Sequence, residues 1–313
     1  MKLPDRRLKK GHVITAEDVK QFKLQDLQSL TVAQLEASDI EENEAATRIA
    51  EVLKSNDITA AEAFTGRVNL YAAKTGILGI DKQLIDRINR VDPSITVATL
   101  GDDVFVEAGR MIATVKIIPF AVEDQLIEQV VSLIGERTPL SLAVARPLRV
   151  GLIATQLPSL KQSVMDKTRR IQEERLRPSA SSVVVERRID HTQEAVAAAI
   201  DDMKEDCDLL LVFGASAITD MGDVIPAGIE MSGGEVVYFG MPVDPGNLLL
   251  IGQIDQKPVI GAPGCARSPA ENGFDWVLQR LICDLPVDED YISGLGVGGL
   301  LMEIFARPQP REG

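Results

Sequence analysis

Small residues followed by aspartates come directly after a strongly apolar run near residue 210. In LLLVFGASAITDMGD, Gly214, Ala215 and Ser216 follow the run, and Asp220 and Asp223 come next. Glycine and alanine let a ligand approach the backbone, and N–H groups at a helix start bind anions such as phosphate. Nearby carboxylates would repel an anion unless they bind a divalent cation or accept hydrogen bonds from the ligand. The segment therefore predicts a small-molecule site at the end of a buried strand.

Two other strand-to-helix loops and one strand end carry residues of the same kind. Thr155 ends the run RVGLIAT, Asp190 directly follows SVVVERRI, and Pro263, Gly264 and Ser268 follow KPVIGA. In open sheets of alternating strands and helices, ligands bind beyond the carboxyl ends of the strands. We therefore expect these residues to lie near one edge of a sheet.

Structural roles compete with chemical ones at the aspartates. Asp223 precedes Val-Ile-Pro, where a carboxylate commonly caps a helix whose first turn tolerates proline. Asp190 likewise stands just before a helical pattern. Capping is at least as plausible as catalysis at Asp223 on spacing alone, and both interpretations stay open.

The elements that must position these residues suggest two domains of different type. From residue 149 onward, apolar runs alternate with amphipathic stretches, which predicts βαβ units and an open, doubly wound, mostly parallel sheet. Before it, an acidic helix over 36–54, antiparallel hairpins over 94–120 and a helix over 121–134 predict an α+β domain. The predicted organisation is an N-terminal α+β accessory domain over 1–145, an α/β domain over 146–287 and a tail or linker over 288–313.

Composition narrows the class of protein. The 313 residues carry a net charge of −14, which argues against nucleic acid or an anionic membrane as a partner and favours a small molecule. With 2 histidines and 3 cysteines, neither a histidine-rich metal site nor a disulfide framework is expected. No apolar run has the length of a membrane helix or of a signal peptide core, so we expect a cytoplasmic protein.

Residues 149 to about 285 resemble the molybdopterin-binding domain shared by molybdopterin adenylyltransferases and molybdenum insertases. The resemblance lies in the order and spacing of a threonine after the first strand, an aspartate in RRIDHTQEAV, a glycine-rich turn before DVIPAGIE, and then MPVDPGNLLLIG and GAPGCARSPA. The first 120 residues and the segment after 294 are similar to a bacterial group in which this domain precedes a nucleotidyltransferase domain. The resemblance implies an α/β fold and a pterin ligand.

Carried over onto this sequence, the resemblance implies a set of pocket residues. The residues implied to bind the cofactor are Thr155, Gly214, Ala215, Ser216, Asp220, Pro245, Gly246, Pro263, Gly264 and Ser268. Asp190 and Asp223 are implied as catalytic residues or as ligands of Mg²⁺. The sequence departs from the family pattern at Ala215, Asn247 and Cys265, which replace a glycine, a lysine and an asparagine. These changes weaken the case for catalysis more than the case for binding.

The leading hypothesis is therefore molybdopterin binding in the synthesis or handover of the molybdenum cofactor. Adenylyl transfer with Mg²⁺ and ATP or another nucleotide, or molybdate insertion, would add an activity. Expected partners are the pterin, a second or third copy of the chain in a dimer or trimer, and a downstream nucleotidyltransferase or molybdoenzyme. The alternative is a non-catalytic assembly or regulatory domain with a degenerate pocket. A phosphatase or amidase on a related fold is a weaker third hypothesis.

Overall fold

The computed structural model describes residue 8 and residues 11–25, 28–158 and 161–301. The chain divides into two compact units, Met1–Lys74 with Leu78–Leu142 and Thr75–Ile77 with Ala143–Gly313. Both units mix helices and strands, so the predicted mixed α/β fold is confirmed.

Residues 11–144 contain four helices and nine strands within the described ranges. The helices are α1 (Ala16–Leu24), α2 (Glu42–Leu53), α3 (Lys82–Ile88) and α4 (Asp124–Ile134). The strands are β1 (Asp39–Glu41), β2 (Ile58–Ala60), β3 (Arg67–Ala72), β4 (Gly76–Ile80), β5 (Ile95–Thr99), β6 (Val104–Val106), β7 (Met111–Ile117), β8 (Ala121–Glu123) and β9 (Leu140–Val144). They form sheets ordered β2–β3–β7–β5, β6–β4–β9 and β1–β8.

The two predicted helices of this part begin later than the sequence pattern suggests. Residues 39–41 and 121–123 instead form β1 and β8, which pair antiparallel with Ile40 opposite Val122. Both helices then bury their apolar stripes in one core that includes Ile49, Leu53 and Ile127. The amphipathic periodicity thus identified the helices correctly but could not show that their first residues pair as strands.

The hairpin prediction over 94–120 is only partly right. β5 and β7 pair antiparallel, but β6 between them belongs to another sheet. The Asp102 carboxylate accepts a hydrogen bond from the Ile80 N–H at 2.8 Å, and the Asp103 N–H donates to the Leu78 carbonyl at 2.9 Å. These bonds attach the segment to β4, a contact that the local sequence pattern does not encode.

The second unit contains a six-stranded sheet. Its strands are β10 (Arg149–Gln156), β11 (Ser182–Asp190), β12 (Leu209–Phe213), β13 (Glu235–Phe239), β14 (Leu250–Ile254) and β15 (Lys257–Ala262). Its helices are α5 (Gln162–Leu176), α6 (Gln193–Met203), α7 (Val224–Met231), α8 (Gly273–Ile282) and α9 (Glu289–Gly294). A short 3₁₀ turn, Gly264–Arg267, follows β15.

The order of this sheet is β11–β10–β12–β15–β14–β13, with the first four strands parallel. β14 runs antiparallel to both of its neighbours. Every residue of β12 is buried, because helices cover both faces of the sheet. Leu176 of α5 and Phe274 of α8 lie in the core on one face, and Ile200 of α6 and Ile229 of α7 lie in the core on the other. The strand order reverses between β10 and β12, which makes this point the expected ligand crevice of an open α/β sheet.

The segment expected to be a linker is partly packed against the second unit. Ile292 of α9 is fully buried in the core that contains Phe274. The Leu301 N–H donates to the Asp244 carbonyl at 2.9 Å. Burial of Ile292 and this backbone pairing hold residues 288–301 in place, while residues 302–313 lie outside the described residues.

Among the helices of the described ranges, none combines the length and the apolar character that crossing a membrane requires.

Candidate functional site

A chain of three polar side chains joins the ends of three strands at the switch point. The Oγ1 of Thr155, at the end of β10, lies 2.8 Å from Nδ1 of His191, which directly follows β11. Nε2 of the same ring lies 3.0 Å from Oγ of Ser216, in the turn after β12. Thr155 is fully buried, His191 is half-buried and Ser216 is exposed. The chain therefore runs from the core to the surface of the sheet edge.

The Thr155 hydroxyl also holds the turn after β12. The Ala215 N–H donates to Thr155 Oγ1 at 2.8 Å, and the Phe213 carbonyl lies 3.5 Å from the same oxygen. The tautomer that also keeps the Thr155 hydroxyl as donor to the Phe213 carbonyl has His191 Nδ1–H donating to Thr155 and Ser216 donating to His191 Nε2. In this arrangement the lone pairs of Ser216 Oγ make no described hydrogen bond, and Ser216 is exposed. These lone pairs are available to a ligand.

Gly214 is required by the tightness of this turn. A Cβ atom at this position would lie 2.5 Å from the Ser216 carbonyl oxygen and 3.0 Å from Cδ1 of Ile225. The first of these contacts is with backbone, which cannot rotate away as a side chain end can. The small residue predicted at the end of the strand therefore allows the chain to turn back on itself and present Ser216.

Asp223 organises the rest of the loop. Its Oδ2 accepts hydrogen bonds from the N–H groups of Thr219 at 2.6 Å and Asp220 at 3.0 Å. These N–H groups lower the pKa of the Asp223 carboxyl below its ordinary value. Asp223 is the N-cap residue of α7, but its side chain makes no capping bond to that helix. The carboxylate thus folds the preceding loop instead of capping the helix.

The donor set at this edge does not fit a metal held by the protein. Three donors of the loop already share Oδ2 of Asp223, the third being the Thr219 hydroxyl at 3.3 Å. Asp220 accepts the Gly222 N–H at 2.7 Å. Within the described ranges, no group of three or more His, Cys, Asp or Glu side chains is arranged to hold a metal ion. We therefore derive no step through Mg²⁺.

The turn after β15 (the third loop) meets the turn after β12 (the second loop) through Arg267. Its Nη2 donates to the Gly214 carbonyl at 3.0 Å, and its Nη1 donates to Thr168 Oγ1 of α5 at 2.7 Å. The guanidinium carbon lies 5.1 Å from the centre of the Phe213 ring. Arg267 therefore ties the 3₁₀ turn after β15 to the turn after β12.

A buried ion pair between α5 and α8 also holds the third loop in place. Arg175 of α5 donates to Asp275 of α8 at 2.6 Å, and the two side chains are only 9% and 11% exposed. Arg175 also donates to the carbonyls of Ala266 and Ser268, each at 2.7 Å. Desolvation raises the pKa of the nearby Cys265 thiol, which disfavours the thiolate that a reactive cysteine needs.

The remaining residues implied by the resemblance lie at or near this edge in varied surroundings. Pro263 is buried, Gly264 is exposed, and Ser268 Oγ accepts the Ala270 N–H at 3.3 Å. Asp190 is exposed at the end of β11, beside Gln156 of β10. These residues share the carboxyl edge of the parallel strands with Thr155 and Ser216, but no described hydrogen bond links them to that pair.

Pro245 and Gly246 have mainly packing contacts. The Pro245 carbonyl accepts the Gly273 N–H of α8 at 2.9 Å, and a Cβ atom at Gly246 would lie 2.7 Å from that same nitrogen. Gly246 also has a φ of 137°, which favours glycine. Their loop lies at the same edge as the site because β13 runs parallel to β12. The strand that follows this loop, β14, is nevertheless three strand positions away from β10 in the sheet, which is a separation of about 14 Å.

Two residues of the site were missed by the sequence interpretation. With only 2 histidines in the chain, composition gives no reason to single out His191, although its position directly after a strand end is a usable signal. Arg267 lies inside GAPGCARSPA but matches none of the residues carried over from the family. Neither residue belongs to a periodic pattern, so only the folded arrangement brings them to Ser216 and Gly214.

A separate cavity opens at the opposite edge of the sheet. It has a volume of about 880 Å³ and is lined by residues near the starts of β10, β12 and β15, including Leu148, Asp208 and Pro258. None of the residues implied by the resemblance lines it. A ligand bound in this cavity can therefore be distinguished from a ligand bound at the switch point, because the two sites have different residues.

Comparisons with known proteins give a weak overall likeness. No family model matches the sequence, and no curated protein matches it. Among solved structures, the molybdopterin biosynthesis MoeA protein of Pyrococcus horikoshii is 16% identical with a TM-score of 0.34, over 78% of this chain and 79% of that chain. A molybdenum cofactor biosynthesis protein of Pyrococcus furiosus is 15% identical with a TM-score of 0.27, over 80% and 73% of the two chains. Because these TM-scores lie below 0.5, we assign neither family nor function from them.

Proposed function

We propose that the second unit binds a phosphorylated pterin of the molybdopterin class, in the synthesis or handover of the molybdenum cofactor. The observation that carries the proposal is the hydrogen-bonded chain from Thr155 through His191 to Ser216 at the switch point. The order and spacing of the motifs that resemble molybdopterin-binding domains support the choice of ligand.

Each part of the site has a role in this proposal. In the turn at Gly214–Ser216, Ser216 is exposed and Ala215 is partly exposed, so a ligand can reach this turn from solvent. Thr155 and His191 hold the turn in one conformation, which lowers the entropic cost of binding. The exposed carboxylate of Asp190 is an acceptor for the amino groups of a pterin.

Binding and delivery are better supported than group transfer. The Oδ2 atom of Asp223 is engaged by donors of its own loop. Asn247, where the family has a lysine, is exposed on the loop that packs against α8. We therefore propose that the chain holds the pterin for another domain, subunit or enzyme.

Removal of the Ser216 hydroxyl tests the proposal. We expect wild-type protein, purified from cells that make molybdopterin, to yield a fluorescent pterin derivative after oxidation. In Ser216→Ala the yield per protein should fall several-fold, because Ser216 Oγ accepts a hydrogen bond from an N–H group of the pterin and an ordinary hydrogen bond contributes roughly 0.5–1.5 kcal/mol. Ser293→Ala is the matched control, since Ser293 is exposed on α9 and bonds only within that helix.

The same measurement also separates the alternatives. Wild-type protein without pterin would favour an assembly or regulatory domain with a degenerate pocket. Equal pterin in Ser216→Ala and Ser293→Ala would place the ligand away from this turn and would contradict the proposed site.

A further inference from the structure

Arg267 carries a positive charge that no described acidic residue neutralises. Among the described residues, its guanidinium donates only to a hydroxyl, Thr168 Oγ1, and to a carbonyl, Gly214 O. Within the described ranges it forms no ion pair, whereas Arg175 in the same region is paired with Asp275. Desolvation lowers the pKa of Arg267 from its ordinary value. An arginine nevertheless stays protonated, so the charge itself remains in the protein.

This charge is costly to keep without a counterion. A charged group removed from water is stabilised only when it is paired or fully hydrogen-bonded. A guanidinium has five N–H donors, and two of them are used in the bonds to Thr168 and Gly214. The side chain is only partly buried, and the other three donors make no described hydrogen bond.

We propose that Arg267 is the binding residue for the phosphate group of the ligand. The guanidinium is fixed by Thr168, by Gly214 and by the face of the Phe213 ring, so little side-chain entropy is lost when an anion binds. A phosphate accepts two parallel N–H bonds from such a group and supplies the missing negative charge. The identity of the whole ligand rests on the proposed function, but the anion site does not.

The position of Arg267 also links anion binding to the turn. Its Nη2 holds the carbonyl of Gly214, while the N–H of the next residue, Ala215, is held by Thr155. A phosphate at Arg267 therefore lies beside the turn that presents Ser216. The same anion contacts the second and the third loop, which explains why an arginine in GAPGCARSPA has a place in this site.

Titration with inorganic phosphate tests the inference on the full chain. At constant ionic strength, replacing chloride with phosphate should raise the melting temperature of the wild type saturably. In Arg267→Gln the apparent affinity for phosphate should fall at least tenfold. In Arg267→Lys it should fall on the order of tenfold, because lysine keeps the positive charge but lacks the two parallel N–H donors of a guanidinium. Arg170→Gln should behave as wild type, since Arg170 is 69% exposed on α5.

A second measurement needs no variant. Hydrogen exchange on the wild type should show slower exchange in residues 214–217 and 264–268 when phosphate is added. A non-saturating rise in melting temperature that is equal in all variants, or an exchange pattern that phosphate leaves unchanged, would overturn the inference.

The inference and the proposed function can fail separately. Pterin retention by the wild type together with phosphate binding that ignores Arg267 would overturn only the inference. Phosphate binding that depends on Arg267, in a protein that retains no pterin, would uphold the anion site and contradict only the proposed ligand.

Discussion

Thr155→Val is expected to abolish pterin retention and to lower the free energy of unfolding by about 1–3 kcal/mol. Valine has nearly the shape of threonine, so the fully buried position is refilled without a cavity. The Ala215 N–H and Nδ1 of His191 lose the oxygen that lies 2.8 Å from each of them. Leaving these polar groups without a partner is more costly than the loss of one bond, and the turn that presents Ser216 is released.

Thr155→Ser is the matched control for this change. Serine retains the hydroxyl and loses only a methyl group, so we expect pterin retention close to that of the wild type. Urea unfolding and pterin content should be measured on both variants. A Thr155→Val protein that retains pterin as well as Thr155→Ser would show that the Thr155 hydroxyl does not organise the site.

Gly214→Ala is expected to reduce pterin content more than tenfold while the sheet stays folded. The added Cβ would meet the Ser216 carbonyl oxygen at 2.5 Å, so the backbone of the turn must move. Overpacking of this kind lowers the free energy of unfolding by about 1–3 kcal/mol. We expect the sheet to stay folded despite this loss, because the preceding strand β12 is fully buried. The shift displaces Ser216 from His191 and alters the surface that a ligand would contact.

Gly294→Ala provides the control for this experiment. A Cβ atom at Gly294 meets no neighbour within 4 Å, and this residue ends α9 away from the turn. Circular dichroism confirms folding of both proteins, and pterin content then reports the site. Equal pterin content in Gly214→Ala and Gly294→Ala would contradict a ligand at this turn.

The second unit was predictable because its central strands, such as β10 and β12, are buried on both faces. β12 reads as a continuous apolar run, and the helices between strands show clear amphipathic patterns, so elements and sheet type follow from sequence. In the first unit, the position of β6 depends on the bond from Ile80 N–H to Asp102. That contact joins residues 22 positions apart, which local patterns do not report.

The site was predictable to a similar degree. Thr155 and the turn at Gly214–Ser216 follow strands that were identified, and the rule for carboxyl edges places them together. His191 and Arg267 contribute through single contacts with these residues. A lone charged or titratable residue carries no spacing signal, so its role becomes visible only when the loops are folded against one another.

Hydrogen exchange of the wild-type chain, with and without bound pterin, tests the central claim most directly. The proposed site predicts slower exchange in residues 155–158 and 214–219, and no change around Leu148, Pro258 and the cavity at the opposite edge. Protection confined to that cavity, or no protection in residues 214–219, would contradict a pterin site at the switch point.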